Sequence, residues 1–446
     1  GEKVGQSVGY QIKMDSCKSA QTKILVVTEA ILVRKLQSDQ SLDDISMIIF
    51  DEFHERSIHT DLSLALSLQS QELLRDDLKI LIMSATLNSK ELTSLLGDVP
   101  VITSKGRIFD VLNIYLEPNI KQPDYKSMNT FLLNTTLKAI NEDEGDILIF
   151  LSGVKEIKNL YKSLEEKINN TNVLILPLYS ALPKEQQDRA IEKSNKRKII
   201  LSTNIAQTSL TIEGVKVVID SGLEKLSRYN YSNAMDHLKL GFISSDSATQ
   251  RAGRAGRLSN GKCYKLWHKS KILQSSTKPE ILRTDLSSLL LDLALWGVEE
   301  FGELKWLNIP DAKIINETKV VLQELQMLNS SYQITNFGKD AITLGIHPRL
   351  AFMLLKSNEL GFAKEASLLA SLLIERDIFI NDYKSKDFIE ATTVFPEEGP
   401  EVKINALSFK SDITKLRRRI EERLDNKRID LEFNYEELDD NREEFS

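Results

Sequence analysis

Acidic residues that could act on a phosphate group follow an apolar run near the start of this sequence. The pair Asp51-Glu52 comes directly after ISMIIF, residues 45–50. An aspartate that ends a buried strand can hold Mg²⁺, usually through water. An adjacent glutamate can orient the water that attacks a nucleoside triphosphate. A solvated acidic turn after a strand is the alternative interpretation of the same residues.

Three arginines recur at every third position of the segment QRAGRAGR, residues 250–257. On a helix, Arg251, Arg254 and Arg257 would lie nearly along one face, and the small residues between them would let that face approach another surface. Guanidinium groups bind phosphate oxygens through paired N–H donors. An exposed basic helix is the alternative, although each glycine would weaken such a helix by roughly 0.5–1 kcal/mol relative to alanine.

Hydroxyl and amide side chains follow two further apolar runs. Ser84-Ala85-Thr86 could relay hydrogen bonds between a nucleotide and a second ligand, yet Ser and Thr are also common turn residues. The segment TNIAQTSLTI, residues 203–212, follows the apolar run KIILS. Because open α/β sheets bind ligands at the carboxyl ends of their strands, this segment predicts a ligand site. A capped helix start is the alternative.

The elements that must position these residues are strands and helices in alternation. Seven apolar runs alternate with helical patterns up to about residue 270, at residues 23–28, 45–50, 79–86, 146–151, 172–180, 198–204 and 215–220. Nearly continuous apolar strands separated by helices predict parallel sheets that are covered on both faces. Seven strands over this span favour two α/β units, with residues 116–126 as a linker or as the entry to the second.

Beyond residue 277 the pattern becomes helical. Helices are predicted over residues 286–296, 318–328 and 350–374, with turns at Asn336-Phe337-Gly338 and His347-Pro348. The region beyond Phe395 is highly charged: residues 415–424 have the pattern of an amphipathic helix, and residues 430–446 are acidic.

Composition limits the function classes. The chain has 446 residues, 41% of them hydrophobic, with a net charge of −7 and a pI near 5.6. On charge alone nucleic acid is not the expected partner, although a local groove can differ from the whole surface. No apolar run approaches the ~18–20 residues of a membrane span and no signal peptide is visible. The two cysteines, Cys17 and Cys263, are far apart and lack metal-site spacing, which favours reduced cysteines in a cytoplasmic protein.

Four motifs occur in an order and at a spacing that resemble the DEAH-type RNA helicases of superfamily 2, in their bacterial HrpB-like branch. They are DEFH (residues 51–54), SAT (84–86), TNIAQTSLTI (203–212) and QRAGRAGR (250–257). The runs DEFHERS, VVIDSGLEK, PEILRTDL, LKWLNIP, HPRLAFML and ASLLIERD resemble the same branch. His54 favours the DEAH type over the DEAD type, and Phe53 in place of alanine is typical of the HrpB-like branch.

The resemblance implies an α/β fold with two RecA-like parallel-sheet domains, the first of them incomplete, followed by a winged-helix domain and a helical ratchet-like domain. The expected boundaries are residues 1–107 for the C-terminal part of the first RecA-like domain, 108–276 for the second, 277–343 for the winged helix, 344–395 for the ratchet-like domain and 396–446 for a charged tail.

The resemblance also implies an enzyme that uses ATP and Mg²⁺ to move along single-stranded RNA, independently of its sequence and from 3′ to 5′. Asp51 and Glu52 would bind the metal ion, and Glu52 would also activate water. Gln250, Arg254 and Arg257 would face the triphosphate as catalytic residues, whereas Arg251 is expected to be structural. The remaining implied residues are His54, Ser209 and Thr211 for nucleotide binding, Thr28, Thr203 and Asn204 for RNA binding, and Ser84 and Thr86 for coupling the two sites.

Three features depart from the family pattern. The sequence has no GxxxxGK[ST] phosphate-binding loop, and the resemblance places that loop upstream of Gly1. Gln207 stands where the family usually has glutamate, and Leu223 stands where many eukaryotic relatives have phenylalanine. Two hypotheses remain: a segment of an active helicase whose phosphate-binding loop lies upstream, or a catalytically inactive RNA-binding scaffold. The intact acidic pair and arginines favour the active helicase.

Overall fold

The computed structural model describes most of the chain before residue 375, in the ranges 1–12, 15–85, 89–97, 99–104, 109–168, 172–207, 212–230 and 235–374. The chain divides into two compact units. The first contains Gly1–Asp285 and Lys305–Ile309, and the second contains Leu286–Leu304 and the chain from Pro310 onward. The predicted charged tail and its amphipathic pattern at residues 415–424 lie outside the described residues.

The first part of the chain forms two short sheets. Strands β1 (Val8–Ile12), β2 (Asp15–Cys17) and β3 (Ile24–Val27) make one sheet in the order β2-β1-β3, in which β1 and β3 are parallel. Helix α1 (Glu29–Ser38) follows β3. Strand β4 (Met47–Phe50) is connected by helix α2 (Ile58–Leu73) to its parallel partner β5 (Lys79–Ile82), and helix α3 (Ser89–Leu96) comes next.

Strands β3 and β4 each have an apolar side that is exposed. In β4, Phe50 is buried, whereas Met47 and Ile49 on the opposite side are 50% and 53% exposed. Ile24 and Val26 of β3 are exposed to 60% and 59%. Parallel sheets are normally covered on both faces, so chain packed on the exposed apolar side of each strand would stabilise it.

The rest of the first unit alternates strands and helices. The strands are β6 (Val111–Leu116), β7 (Asp146–Phe150), β8 (Val173–Leu178), β9 (Arg197–Ser202), β10 (Val215–Asp220), β11 (Leu223–Asn230), β12 (Met235–Phe242) and β13 (Gly261–His268). The helices are α4 (Met128–Glu142), α5 (Val154–Lys167), α6 (Lys184–Ile191) and α7 (Ser245–Gly253). Six strands form a parallel sheet in the order β6-β13-β10-β7-β9-β8, while β11 and β12 form a separate antiparallel hairpin.

Both faces of the six-stranded sheet are buried, as β7 illustrates. Ile147 and Ile149 pack on one face with residues of α4 and α5, whereas Leu148 and Phe150 pack on the other with residues of α6 and α7. Because successive side chains of a strand point to opposite faces, a sheet covered on both sides needs apolar residues at every position. The predicted α/β fold with a parallel sheet is confirmed.

The described part of the second unit is mainly helical. Its helices are α8 (Ser287–Trp296), α9 (Ala312–Glu324), α10 (Asn336–Leu344), α11 (Pro348–Glu359) and α12 (Ala363–Ile374). An antiparallel bridge joins Leu328 to Ile334 ahead of α10. None of the described helices combines the length and the apolar character that a membrane crossing requires.

Two predictions for this helical region were wrong in detail. Asn336-Phe337-Gly338 is not a turn but the beginning of α10, because the Thr335 hydroxyl accepts the N–H of Gly338 at 3.0 Å and caps the helix. The single helix predicted over residues 350–374 is divided into α11 and α12. Gly361, with φ of 85°, lies between them and allows the chain to turn.

All seven apolar runs contain strands, but strands β1, β2, β6, β11, β12 and β13 were not predicted. Strand β13 shows the reason. Its Lys262 and Lys265 interrupt the apolar pattern, yet Lys262 pairs with Asp143 and Lys265 lies 5.1 Å from the ring centre of Tyr115. Partners contributed by distant parts of the chain make these lysines compatible with a central strand, and periodicity cannot detect such partners.

Candidate active site

The loop after β4, residues 51–56, is called the acidic loop here, and its backbone is sharply turned. Glu52 has φ of 49° and Arg56 has φ of 51°, both in the left-handed region. This conformation costs of order 1–3 kcal/mol for a residue other than glycine. The N–H of Glu52 donates to Asp51 Oδ1 at 2.8 Å. Phe53 is fully buried and its N–H donates to the carbonyl of Met83 at 3.0 Å, which anchors the loop.

His54 and Ser84 lie beside this loop. His54 Nδ1 is 3.5 Å from Glu52 Oε2, and the imidazole is 10% exposed. Within the described part of the chain, neither ring nitrogen of His54 has a hydrogen-bond partner. Ser84 follows β5, next to Met83, whose N–H donates to the carbonyl of Phe50 at 2.8 Å and keeps this segment alongside β4. The other predicted coupling residue, Thr86, lies outside the described residues.

Gln207 connects Gln250, Arg251 and Arg254, which belong to the segment QRAGRAGR. Its side-chain amide donates to Gln250 Oε1 at 3.0 Å and to Ser247 Oγ at 3.1 Å, and its side-chain oxygen accepts from Arg251 Nε at 2.9 Å. Its backbone carbonyl accepts from Arg254 Nε at 2.9 Å and from Nη2 at 2.6 Å. An ionised glutamate at position 207 would have no N–H to donate to Gln250 Oε1 and Ser247 Oγ. Glutamine is therefore suited to this network.

The three arginines do not share a helical face, so that prediction was wrong. Helix α7 ends at Gly253, and the N–H groups of residues 254–256 bond to carbonyls three residues earlier at 3.0–3.2 Å. The tight turn separates the guanidinium groups: Arg251 is buried, Arg254 is partly buried and Arg257 is exposed. Residues 254–257 are called the arginine turn below. Glycine weakens a helix, which favours an early end at this point.

Arg251 belongs to a buried ion pair. Its Nη1 lies 3.1 Å from Asp220 Oδ1, with side-chain exposures of 1% and 0%, and its Nη2 lies 3.9 Å from Glu224 Oε2. The guanidinium carbon is 5.0 Å from the ring centre of Phe150. Burial raises the pKa of Glu224, and the Arg251 cation opposes that rise. Arg251 therefore joins α7 to the end of β10, in agreement with its expected structural role.

The acidic loop and the arginine turn lie within electrostatic reach of each other. Burial, and to a smaller extent the neighbouring Arg257 cation, lower the pKa of Arg254 to about 10. The carboxylate of Glu52 acts in the opposite direction and favours the charged guanidinium. The structure thus places Glu52 within electrostatic reach of Arg254, although about two hundred residues separate them in the sequence.

The predicted RNA-binding residues lie at the carboxyl ends of strands. Thr28 is exposed and follows β3 at the start of α1, where its side chain makes no capping bond. Thr203 follows β9, and the exposed Asn204 begins a short 3₁₀ turn. The alternative of a capped helix start is not supported, because the Thr203 side chain does not cap this turn. The predicted nucleotide-binding residues Ser209 and Thr211 lie outside the described residues.

Sequence reasoning missed residues that support the acidic loop. Arg56 Nε donates to Asp61 Oδ1 at 2.7 Å, and its Nη2 donates to Asn308 Oδ1 at 2.8 Å. Arg56 and Asn308 belong to the runs DEFHERS and LKWLNIP, but their separation in the chain concealed the contact. Gln207 was noted only as a departure from the family pattern, whereas the structure identifies its polar partners.

Comparisons with known proteins establish the family. The DEAD/DEAH box helicase model matches residues 3–95, and the helicase conserved C-terminal domain model matches residues 130–259. The ATP-dependent RNA helicase HrpB of Escherichia coli (strain K12) is 39% identical over 378 residues, which are 84% of this chain and 46% of that protein. This chain belongs to the DEAD/DEAH box helicases.

Further members of this helicase family agree. The ATP-dependent RNA helicase HrpA of Borreliella burgdorferi is 39% identical over 353 residues, 78% of this chain and 42% of that protein. The crystal structure of the Escherichia coli DEAH/RHA helicase HrpB has a TM-score of 0.83 and 36% identity, over 95% of this chain and 52% of that one. The predicted resemblance and the RecA-like fold are confirmed. This helicase chain spans about half the length of the relatives it matches.

Proposed function

We propose that this chain is the motor part of an RNA helicase that couples hydrolysis of ATP to movement along single-stranded RNA. The observation that carries the proposal is the placement of Arg254, whose guanidinium is held by two bonds to the Gln207 carbonyl within electrostatic reach of Glu52. Hydrolysis of a nucleoside triphosphate needs a group that orients water and cations that neutralise charge on the transferred phosphoryl group. The acidic loop and the arginine turn supply these two requirements.

The predicted nucleotide-site residues of the two loops, together with Gln250, have places in the proposed reaction. Glu52 would orient and polarise the attacking water, and His54 would adjoin it in the nucleotide site. Gln250, Arg254 and Arg257 would contact the triphosphate, with the arginines neutralising its charge. The bonds from Arg254 to the carbonyl of Gln207 fix the plane of the guanidinium. A cation held in place in this way needs little reorganisation during the reaction.

The acidic loop fits a magnesium ion. Asp51 is exposed and its carboxylate follows a buried strand end. The described residues contain no group of three His, Cys, Asp or Glu side chains that could hold a metal ion. Magnesium does not require such a group, because one or two carboxylates together with substrate phosphates commonly bind it. Asp51 and Glu52 would hold the ion, which would neutralise phosphate charge when nucleotide is bound.

RNA is the second ligand in this proposal. The HrpB and HrpA relatives are named as ATP-dependent RNA helicases. Hydroxyl and amide groups at strand ends can bind the RNA backbone, which gives affinity without reading sequence. The RNA-contacting residues would be Thr28, Thr203 and Asn204, with Ser84 and Thr86 coupling the RNA to the nucleotide and Ser209 and Thr211 sensing the nucleotide. Movement would proceed from 3′ to 5′.

A GxxxxGK[ST] phosphate-binding loop is absent from these 446 residues. A strand and helix carrying that loop would bury the exposed apolar side of β3 and β4, including Val26 and Ile49. Residues 1–107 and 108–276 would be the two RecA-like domains that supply the acidic loop and the arginine turn. Residues 277–343 would form the winged helix, residues 344–395 the ratchet-like domain and residues 396–446 the charged tail.

We predict that the 446-residue chain alone has negligible RNA-stimulated ATPase activity, because the β- and γ-phosphates lack their main binding loop. A longer protein that includes this loop should hydrolyse ATP, and Glu52→Gln should abolish that turnover. Phosphate release measured with and without RNA tests both statements. Glu166→Gln on the exposed side of α5 is a control with the same chemical change and should retain activity.

Two outcomes would contradict this prediction. Robust turnover by the 446-residue chain, abolished by Glu52→Gln, would show that no further phosphate-binding loop is required. A longer protein that binds RNA but never hydrolyses ATP would favour the inactive RNA-binding scaffold.

A further inference from the structure

Glu280 lies in the run PEILRTDL and is bonded to the end of the acidic loop. Its N–H donates to the carbonyl of Arg56 at 3.1 Å, and its Oε2 accepts the N–H of Ile58 at 2.9 Å. Ile58 is the first residue of α2, and the first N–H groups of a helix have no partner within the helix. The carboxylate satisfies one of these donors and is also favoured by the positive end of the helix dipole.

Arg56 makes this attachment rigid. Its guanidinium binds Asp61 through two hydrogen bonds, of 2.7 and 3.2 Å, and Asn308 through one of 2.8 Å. It also lies 5.7 Å from the ring centre of Phe53. These contacts hold Arg56 in its left-handed backbone conformation. The position of the acidic loop therefore depends on residues 280 and 308, far away in the sequence.

Arg283, three residues after Glu280, joins this part of the chain to the hairpin formed by β11 and β12. Its Nη1 donates to the carbonyl of Ser227 at 2.9 Å, and its own carbonyl accepts the N–H of Tyr229 at 2.9 Å. Its Nη2 lies 3.8 Å from Glu280 Oε1. Residues 280–283 are therefore bonded to β11 at Arg283 and to the end of the acidic loop at Glu280.

The base of the hairpin also reaches the other half of the site. Arg251 Nη1 donates to the carbonyl of Leu223 at 3.5 Å, and Arg251 Nε donates to Gln207. Gln207 in turn holds Arg254. The hairpin is thus connected to the acidic loop through residues 280–283 and to the arginine turn through Arg251.

We propose that Glu280 and Arg283 are positioning residues that transmit displacement of the β11–β12 hairpin to the acidic loop. This inference deepens the proposed function and rests on it, because a link to Glu52 matters only if Glu52 acts on a nucleotide. A displacement of β11 pulls on Arg283, and the bonded Glu280 then shifts the end of the loop at Arg56. The strained backbone of the loop makes the position of Glu52 sensitive to such a shift.

Hydrogen–deuterium exchange on the full 446-residue chain tests this link without requiring turnover. Arg283→Ala should accelerate exchange in β11 and also in residues 52–60, by roughly tenfold, because a charge-assisted hydrogen bond is lost. Arg283→Lys keeps a cation that can donate to the Ser227 carbonyl and should restore much of the protection. Arg228→Ala, an exposed neighbour on the same strand, should leave residues 52–60 unchanged.

Glu280→Gln tests the link from the opposite end. The amide oxygen can still accept the Ile58 N–H, but the charge that attracts Arg283 is lost. Exchange should therefore increase around Ser227 and Tyr229 more than at Ile58. The proposal is overturned if Arg283→Ala accelerates exchange in the hairpin and leaves residues 52–60 unchanged. It is also overturned if both variants accelerate exchange uniformly, including in β7, because the two residues would then be merely structural.

Kinetics in a longer protein that hydrolyses ATP supply a second measurement. Arg283→Ala should lower the RNA-stimulated kcat with little change in the KM for ATP, because the loop is misplaced while nucleotide contacts remain. A rise in KM alone would contradict a positioning role. The exchange experiment gives its result whether or not the protein is a helicase, so failure of the link and failure of the proposed function can be distinguished.

Discussion

At the scale of single residues, Gln207 illustrates how a neutral side chain can organise charged ones. Two carboxylates, Asp220 and Glu224, already surround the buried Arg251. A third carboxylate at position 207 would add negative charge to this region and would lose the two N–H donors that reach Ser247 and Gln250. The neutral amide therefore orients Gln250 and Arg251 together.

We predict that Arg251→Ala lowers the free energy of unfolding by about 3–5 kcal/mol, because it leaves the Asp220 carboxylate buried without a compensating charge. Urea unfolding followed by circular dichroism measures the change. Arg257→Ala is the matched control, since Arg257 is exposed in the same segment and should alter stability little. Adding Asp220→Asn to Arg251→Ala should recover part of the loss. A cost within that of the control would contradict the structural role.

In the longer protein, we expect Arg257→Ala to reduce catalysis more than RNA binding. Arginine fingers contribute roughly 10³–10⁵ in rate, or about 4–7 kcal/mol of barrier. Arg254→Ala should behave similarly. Arg228→Ala, which removes a cation from the exposed side of β11, is the control. Turnover and RNA affinity are measured separately, and loss of RNA affinity with unchanged turnover in Arg257→Ala would reverse the assignment.

At the scale of elements, the arginine turn packs closely against the chain at the start of β6. This contact fixes the backbone that carries Arg254 and Arg257. A Cβ atom on Gly256 would lie 2.6 Å from the carbonyl oxygen of Phe109 and 2.6 Å from a methyl group of Val111. The N–H of Phe109 donates to the Gly256 carbonyl at 3.1 Å, so this contact is also bonded. Nothing lies within 4 Å of a Cβ atom at Gly253.

The two glycines should therefore respond differently to the same substitution. Gly256→Ala forces the turn away from Phe109 and should cost about 1–3 kcal/mol of stability, as overpacking does. Gly253→Ala, at the end of α7, should be neutral or slightly stabilising because alanine favours a helix. Urea unfolding of both variants measures the difference. Equal effects at the two positions would contradict the close packing of Gly256 against the chain before β6.

At the scale of the whole molecule, the acidic net charge of −7 means that RNA must be held in a local groove. We predict weak binding of the chain to single-stranded RNA, independent of sequence and steeply reduced by salt. About four or five phosphate contacts would give a slope of log affinity against log salt near −3, so a fourfold rise in salt should cost roughly 60-fold in affinity. Fluorescence anisotropy across a salt series measures this slope.

Deletion of the chain after Phe395 separates the groove from the basic pattern at residues 415–424. Binding that survives the deletion, and then falls in the Thr203→Ala, Asn204→Ala double variant, supports the groove. A truncated protein that stays folded yet binds no RNA would contradict it and would identify the tail as the binding region.

The sequence predicted strands where burial on both sheet faces requires continuous apolar residues, as in β7 and β10. It failed where partners from distant segments compensate polar residues, as Asp143 after α4 does for Lys262 in β13. The placement of Asp51 directly after a strand also followed from the sequence, because it depends on chain order alone. The geometry of the arginine turn did not, because Gly256 packs against Phe109 just after α7 ends at Gly253, and helical periodicity cannot detect that contact.

The sequence by itself determined the α/β class, the order of the motifs and the residue types available for phosphate chemistry, because local alternation and residue chemistry are read along the chain. Only the tertiary structure decided which of these residues act together. Glu52 influences Arg254, Gln207 orients Gln250, and Glu280 holds the acidic loop, each across long stretches of sequence. Electrostatic and hydrogen-bonding energies depend on distances of a few ångströms, and only the folded chain fixes those distances.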